Sequence, residues 1–82
     1  REESFEVDGV IDGSWGSWAI EVKTGSYTAT DLRGLFEFTT RFPGYRPLVV
    51  CDPSDVSLAR RYGAQAMGWK EFLLSGPPNP ST

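Results

Sequence analysis

The chain has 82 residues, 39% of them hydrophobic and 13% aromatic, with 8 basic against 11 acidic side chains for a formal charge of −3. That length suits one small domain with a modest core, and the varied apolar composition excludes a disordered or fibrous chain. The sequence contains no histidine, which removes His-based acid–base catalysis, Ser-His-Asp triads and the usual zinc sets together. An acidic balance also counts against a dedicated nucleic-acid binder, although Arg33, Arg41, Arg46, Arg60 and Arg61 are candidates for a local basic patch. No apolar run approaches the ~18 residues of a membrane span, and no secretion signal is present. The single Cys51 has no disulfide partner in the chain, which leads us to expect a reducing, cytoplasmic setting. Opening on Arg1 without an initiator Met, the chain reads as a piece of a longer protein.

In chain order, residues 5–12 alternate Phe5, Val7, Gly9 and Ile11 against Glu6, Asp8, Val10 and Asp12, the period of a strand. Residues 17–23 alternate again, with Trp18, Ile20 and Val22 against Ala19, Glu21 and Lys23. A hairpin with a four-residue loop at Gly13 to Gly16 makes each opposite pair sum to 29. Ile11 then faces Trp18, Gly9 faces Ile20 and Val7 faces Val22, an apolar face. Thr28 and Asp31 have the spacing of a capping box, and Leu32, Leu35, Phe36 and Phe42 recur at helical spacing, with a stop expected at Phe42-Pro43-Gly44. Pro47 to Cys51 is wholly apolar, as in a strand buried on both faces. Ser54 or Asp55 starts a short helix through Tyr62 with Gly63 as its terminator, residues 65–67 form a short strand, and residues 69–74 form a last helical turn or two. Residues 76–82 read as a disordered Pro/Ser-rich tail after a single domain over residues 1–75. The order describes an α/β fold with a mixed sheet.

The chemistry lies on the other face of the hairpin. The 29-sum register sets Asp8 opposite Glu21, with Lys23 two residues further along that face. Opposed carboxylates roughly 5 Å apart repel unless a proton or cation lies between them. Hard divalent ions bind through one or two carboxylates while keeping water, so Asp8 and Glu21 form a candidate Mg²⁺ site. Lys23 beside it is placed to hold an attacking water or to neutralise a pentavalent phosphorus. The bland alternative is a solvated hairpin face with ordinary cross-strand charge pairs. Trp15 and Trp18 are the aromatic candidates for stacking on bases. Trp18 falls on the apolar face and is assigned to the core, while Trp15 at the hairpin tip is either exposed or packed on a neighbour.

The run Glu6-Val7-Asp8, a hairpin, Ala19-Ile20-Glu21-Val22-Lys23-Thr24-Gly25, then Asp31-Leu32-Arg33-Gly34-Leu35 and Phe38 resembles the PD-(D/E)XK nuclease superfamily. The branch it resembles most is the nuclease-like C-terminal domain of bacterial and archaeal P-loop (AAA-type) ATPases, which also carries a buried strand like Leu48-Val49-Val50 and closes with a segment similar to residues 66–73. The resemblance covers residues 6–74 and implies a restriction-endonuclease-like mixed sheet with flanking helices, in which the N-terminal helix and first strand lie before Arg1. It implies Asp8 and Glu21 as metal ligands joined by the main-chain carbonyl of Val22, and Lys23 as the catalytic base. Arg33 or Asp31 matches the polar position early in the following helix, which makes Arg33 a candidate nucleic-acid contact beside the Trp15 already named for base stacking. The expected function is Mg²⁺- or Mn²⁺-dependent hydrolysis of phosphodiester bonds in DNA within a larger P-loop ATPase chain. The alternative is an inactive nuclease-like module for interaction or homo-oligomerisation, since a sheet lacking its first elements leaves an unpaired edge or an uncovered apolar face.

Overall fold

The structure is a computed structural model that describes residues 7–78. Four strands form one mixed sheet in the order β1 (Gly9–Gly13), β2 (Gly16–Val22), β3 (Arg46–Cys51) and β4 (Gln65–Gly68). β1 is antiparallel to β2, whereas β2, β3 and β4 are mutually parallel. Helix α1 (Arg33–Arg41) connects β2 to β3, α2 (Val56–Arg61) connects β3 to β4, and α3 (Trp69–Ser75) follows β4. The described residues thus form a small α/β domain with a four-stranded mixed sheet and three α-helices, as the strand and helix periods imply.

Two crossovers that step the same way across a parallel sheet, each with the usual right hand, put both helices on one face. On that face the sheet contributes small side chains, Ala19 and Ala66, with Val49 and Cys51 between them. The bulk comes from the helical side, from Leu32, Leu35 and the half-buried Phe36 and Phe38. The opposite face reverses this division. Trp18, Ile20, Leu48, Val50 and Met67 fill it from the sheet, and of the helices only α3 packs there, through Phe72. β3 therefore buries both sides of its apolar run, with Leu48, Val49, Val50 and Cys51 all at 2% exposure or less. Burying a Leu, Val or Phe side chain stabilises by roughly 1.5–3 kcal/mol each, so this central strand anchors both cores.

The helix ends follow their sequence signals except at the start of α2, where Asp55 stands at the cap position but its side chain makes no cap bond. The Thr28 N–H donates to the Asp31 carboxylate at 2.8 Å, starting a 3₁₀ turn (Ala29–Leu32) that runs into α1. The helix stops at Arg41, before Phe42-Pro43-Gly44. Asp52 precedes a 3₁₀ turn (Pro53–Asp55) that opens α2. Gly63, at φ 104°, closes α2 in a Schellman arrangement: its N–H donates to the Arg60 carbonyl, and the Ala64 N–H donates to that of Ala59, both at 3.1 Å. Among the described residues no helix is long and apolar enough to cross a membrane. Packing continues past α3, where Pro77 is buried and Gly76 lies against Trp15. The expected tail beyond Pro78 lies outside the described residues.

Candidate functional site at the strand ends

The hairpin register holds over the whole ladder. Gly9 pairs with Ile20, Val10 with Ala19, Ile11 with Trp18, Asp12 with Ser17 and Gly13 with Gly16, each summing to 29. The loop is tighter than the four residues expected, because Gly13 and Gly16 pair and only Ser14 and Trp15 turn. A second difference matters for the site. The ladder ends at Gly9, and Asp8 is a bend rather than a strand residue. Its N–H donates to the Ile20 carbonyl at 2.9 Å, and Val7 packs with the Ala19 face while Ile11 packs with the Trp18 face. Strict alternation would keep Val7 and Ile11 on one face. The bend breaks that alternation, so Val7 does not face Val22 and Asp8 is not the ladder partner of Glu21.

The bend turns the Asp8 carboxylate onto the backbone of β2, where Asp8 Oδ2 accepts the Val22 N–H at 2.7 Å. A main-chain amide thus holds it beside the Glu21-Val22-Lys23 tripeptide. Lys23 Nζ lies 3.1 Å from Glu21 Oε2, with both side chains largely shielded from solvent. The Lys23 N–H donates to the Val50 carbonyl at 2.9 Å, so the lysine backbone is fixed to β3. The structure therefore ties Asp8 to the Val22 main chain and Lys23 to Glu21, a different arrangement from cross-strand opposition. No group of three or more His, Cys, Asp or Glu gathers among the described residues. The protein oxygens on offer to a cation are those of two carboxylates and the main chain, which suits a hard ion that keeps most of its water.

Arg33 and Asp31, at the start of α1, are exposed. Trp15 is not part of this cluster. It sits at the hairpin tip, six residues back from Glu21, roughly 20 Å along β2 at about 3.4 Å per residue. Its ring lies over Gly13 and against Gly76, and its carbonyl accepts the Trp18 indole N–H at 2.9 Å. Trp18 is fully buried, as its place on the apolar face requires, and the Arg46 guanidinium stacks 4.8 Å from its ring. Arg60 donates to the Ala66 carbonyl at 3.1 Å. Arg46 and Arg60, two of the basic-patch candidates, are thereby engaged in the fold.

Sequence reasoning missed a cavity of about 390 Å³ next to Lys23. Val22 and Val50 line it from the sheet, Trp69, Phe72 and Leu73 from α3, and Lys23, Thr24 and Asp52 from the ends of β2 and β3. It exists because α3 packs over β3 and β4 but leaves the end of β2 uncovered, so Val22 stays 44% exposed. The i, i+3, i+4 spacing of Trp69, Phe72 and Leu73 was the available signal.

A second buried group lies nearby. The Tyr27 hydroxyl donates to the Asp55 carbonyl at 2.5 Å and lies 3.8 Å from Cys51 Sγ. Burial pushes the Tyr27 phenol well above its ordinary pKa and raises that of the Cys51 thiol, so each stays protonated at neutral pH. Near the hairpin tip, Asp12 accepts from Ser17 at 2.5 Å and from Tyr45 at 3.0 Å. Comparison with protein-family models, curated proteins and solved structures finds no match for this chain.

Proposed function

We propose that this chain is a metal-dependent nuclease-type domain of the PD-(D/E)XK kind, acting on phosphodiester bonds in DNA as part of a larger P-loop ATPase. The observation that carries the reading is the Asp8 carboxylate held at 2.7 Å on the amide of Val22, the residue that joins Glu21 to Lys23 in the chain. An exposed acidic side chain fixed by main chain next to a Glu–Lys pair is a useful arrangement for gathering charge around a phosphate. The antiparallel hairpin, crossover helix and parallel strand are in keeping with the superfamily core once its leading helix and first strand are set aside. Bound by Asp8, Glu21 and the Val22 carbonyl, Mg²⁺ or Mn²⁺ would supply a water of lowered pKa and polarise the phosphate. Lys23, an ammonium in its pair with Glu21, first releases a proton to solvent and then takes the proton of the attacking water as the new P–O bond forms. The bond to the leaving oxygen breaks, water protonates that oxygen, and the re-formed ammonium balances the charge on phosphorus. Lys23 has to leave Glu21 to do this, so the ion pair is the resting arrangement.

The test is a Mg²⁺ and Mn²⁺ titration of ¹⁵N-labelled protein, paired with cleavage of supercoiled and single-stranded DNA. Localised shifts at Asp8, Glu21 and Lys23 are expected. Lys23→Ala is expected to abolish cleavage while keeping those shifts, and Asp8→Asn to lose both. Flat shifts at millimolar metal would sink the reading. They would favour the second one, an interaction module, which is supported by Leu73 at 71% and Leu74 at 87% exposure on α3.

A further inference from the structure

We propose that the cavity between α3 and the end of β2 receives one unpaired nucleobase of the substrate, stacked on Trp69. The inference deepens the nuclease reading and rests on it for the class of ligand. Lys23 carries the link, since the same residue pairs with Glu21 and lines the cavity. A nucleotide whose phosphate is held at Lys23 has its base within reach of the adjoining apolar walls. About 390 Å³ lies within the range of small-molecule sites, which are mostly apolar with a few polar groups fixing orientation. The open carboxyl ends of parallel strands are also where α/β sheets bind their ligands.

The lining suits a base in its detail. Trp69 is 44% exposed and the half-buried Phe72 lies one turn further along α3, so an aromatic face is offered without unfolding anything. A π-face accepts any base. Asp52 adds discrimination. It ends β3 at the edge of the cavity, and its side chain makes no bond capping the turn that follows. An acceptor carboxylate there pairs with the exocyclic amino group of adenine or cytosine, whereas thymine offers it only the N3–H, flanked by two carbonyl oxygens that repel it. A base in this pocket has left its duplex stack, so the preferred substrate is single-stranded or frayed DNA.

The test uses the whole chain in EDTA, without metal, titrated with dAMP, dTMP and deoxyribose 5-phosphate and read by NMR shifts and sedimentation. Because no metal is present, failure of the Asp8–Glu21 metal site and failure of this pocket register in different experiments. The expected result is that dAMP shifts Val22, Thr24, Trp69 and Phe72, that dTMP does so more weakly, and that deoxyribose 5-phosphate leaves Trp69 unmoved. Trp69→Ala, at a half-exposed position that the fold tolerates, is expected to weaken dAMP binding on the order of 5- to 100-fold. Asp52→Asn is expected to narrow the gap between dAMP and dTMP. Absence of shifts at 10-millimolar-scale dAMP (on the order of weak single-base affinity), shifts confined to other surfaces, or unchanged binding by Trp69→Ala would each overturn the proposal. So would a dimer that closes the cavity and is not dissociated by dAMP.

Discussion

Replacing Asp8 by Ala tests the geometry on which the candidate site depends. Two effects oppose each other. The carboxylate accepts the Val22 N–H at 2.7 Å, and hydrogen bonds to charged groups contribute about 1.5–3 kcal/mol. Asp8 is exposed, so water re-solvates the freed amide and the loss falls to about 1 kcal/mol. Against this stands relief of repulsion from Glu21, which is small because Lys23 already meets that charge at 3.1 Å. The hydrogen bond therefore wins, and Asp8→Ala is expected to lower stability by about 1 kcal/mol, a Tm drop of roughly 4–8 °C for a domain of this size. Asp8→Asn keeps an acceptor oxygen without the charge and is expected to cost about half as much. Circular-dichroism melts give the global number and amide hydrogen exchange gives the local one. Val22 should exchange about fivefold faster or more in the Ala variant, following the same free energy. A variant as stable as the parent, with Val22 exchange unchanged, would show that the carboxylate is not held there. A more stable variant would mean that carboxylate repulsion dominates, and would remove the reason to regard Asp8 as positioned.

Two further substitutions probe the scaffold. Gly63→Ala places a side chain at φ 104° with nothing within 4 Å of its Cβ, so the cost is backbone strain alone, about 1–2 kcal/mol by urea denaturation; an unchanged midpoint would refute the Schellman closure of α2. Tyr27 has a raised pKa from burial first and from its Cys51 contact second. Its stabilising contribution is therefore complete below the unfolded phenol value of 10.0 and falls as pH climbs beyond it. Urea midpoints should drop between about pH 9 and 11 in the parent and drop less in Tyr27→Phe, with a residual slope from Tyr45, whose hydrogen bond to Asp12 also raises its pKa. Parallel midpoints for parent and variant would contradict the buried phenol.

The hairpin register was legible because Trp18 and Ile20 fit the core in one phase only, and a slip by one residue would expose both. β3 was legible because a run such as Leu48-Val49-Val50-Cys51 has no polar position to show water. The bend at Asp8 was not, since an apolar Val7 looks the same whichever face receives it and Gly9 imposes no preference. The hold on Asp8 was invisible for a related reason. Pairing side chain with side chain across a strand ladder never considers a backbone amide as the partner. The cavity escaped because it arises from where α3 stops short over β2, and that offset is a property of packing rather than of α3's own sequence. Trp69 reads from its neighbours Lys70 and Glu71 as part of a short exposed helix, and only the uncovered Val22 beside it gives it a role.

The fold also explains why the chemistry gathers at one end. Every segment that leaves β2, β3 or β4 leaves at the same edge of the sheet, because the three strands are parallel. Lys23 and Thr24, Asp52, and Trp69 are the first residues past those strands or close to it. β1 runs the other way, so its start meets their ends, and the bend at Asp8 delivers a fourth chain segment to that edge. The opposite edge carries the fastenings: Trp15 against Gly76, Arg46 on Trp18, and the Asp12 contacts to Ser17 and Tyr45. Mutations there act on the placement of the hairpin and of α3 and reach the site only through those elements. Changes at Asp8, Glu21 or Lys23 act on charge at the site while leaving the two cores intact. A variant series divided along this line would separate loss of fold from loss of chemistry, because the residues that serve each lie at opposite ends of the same strands.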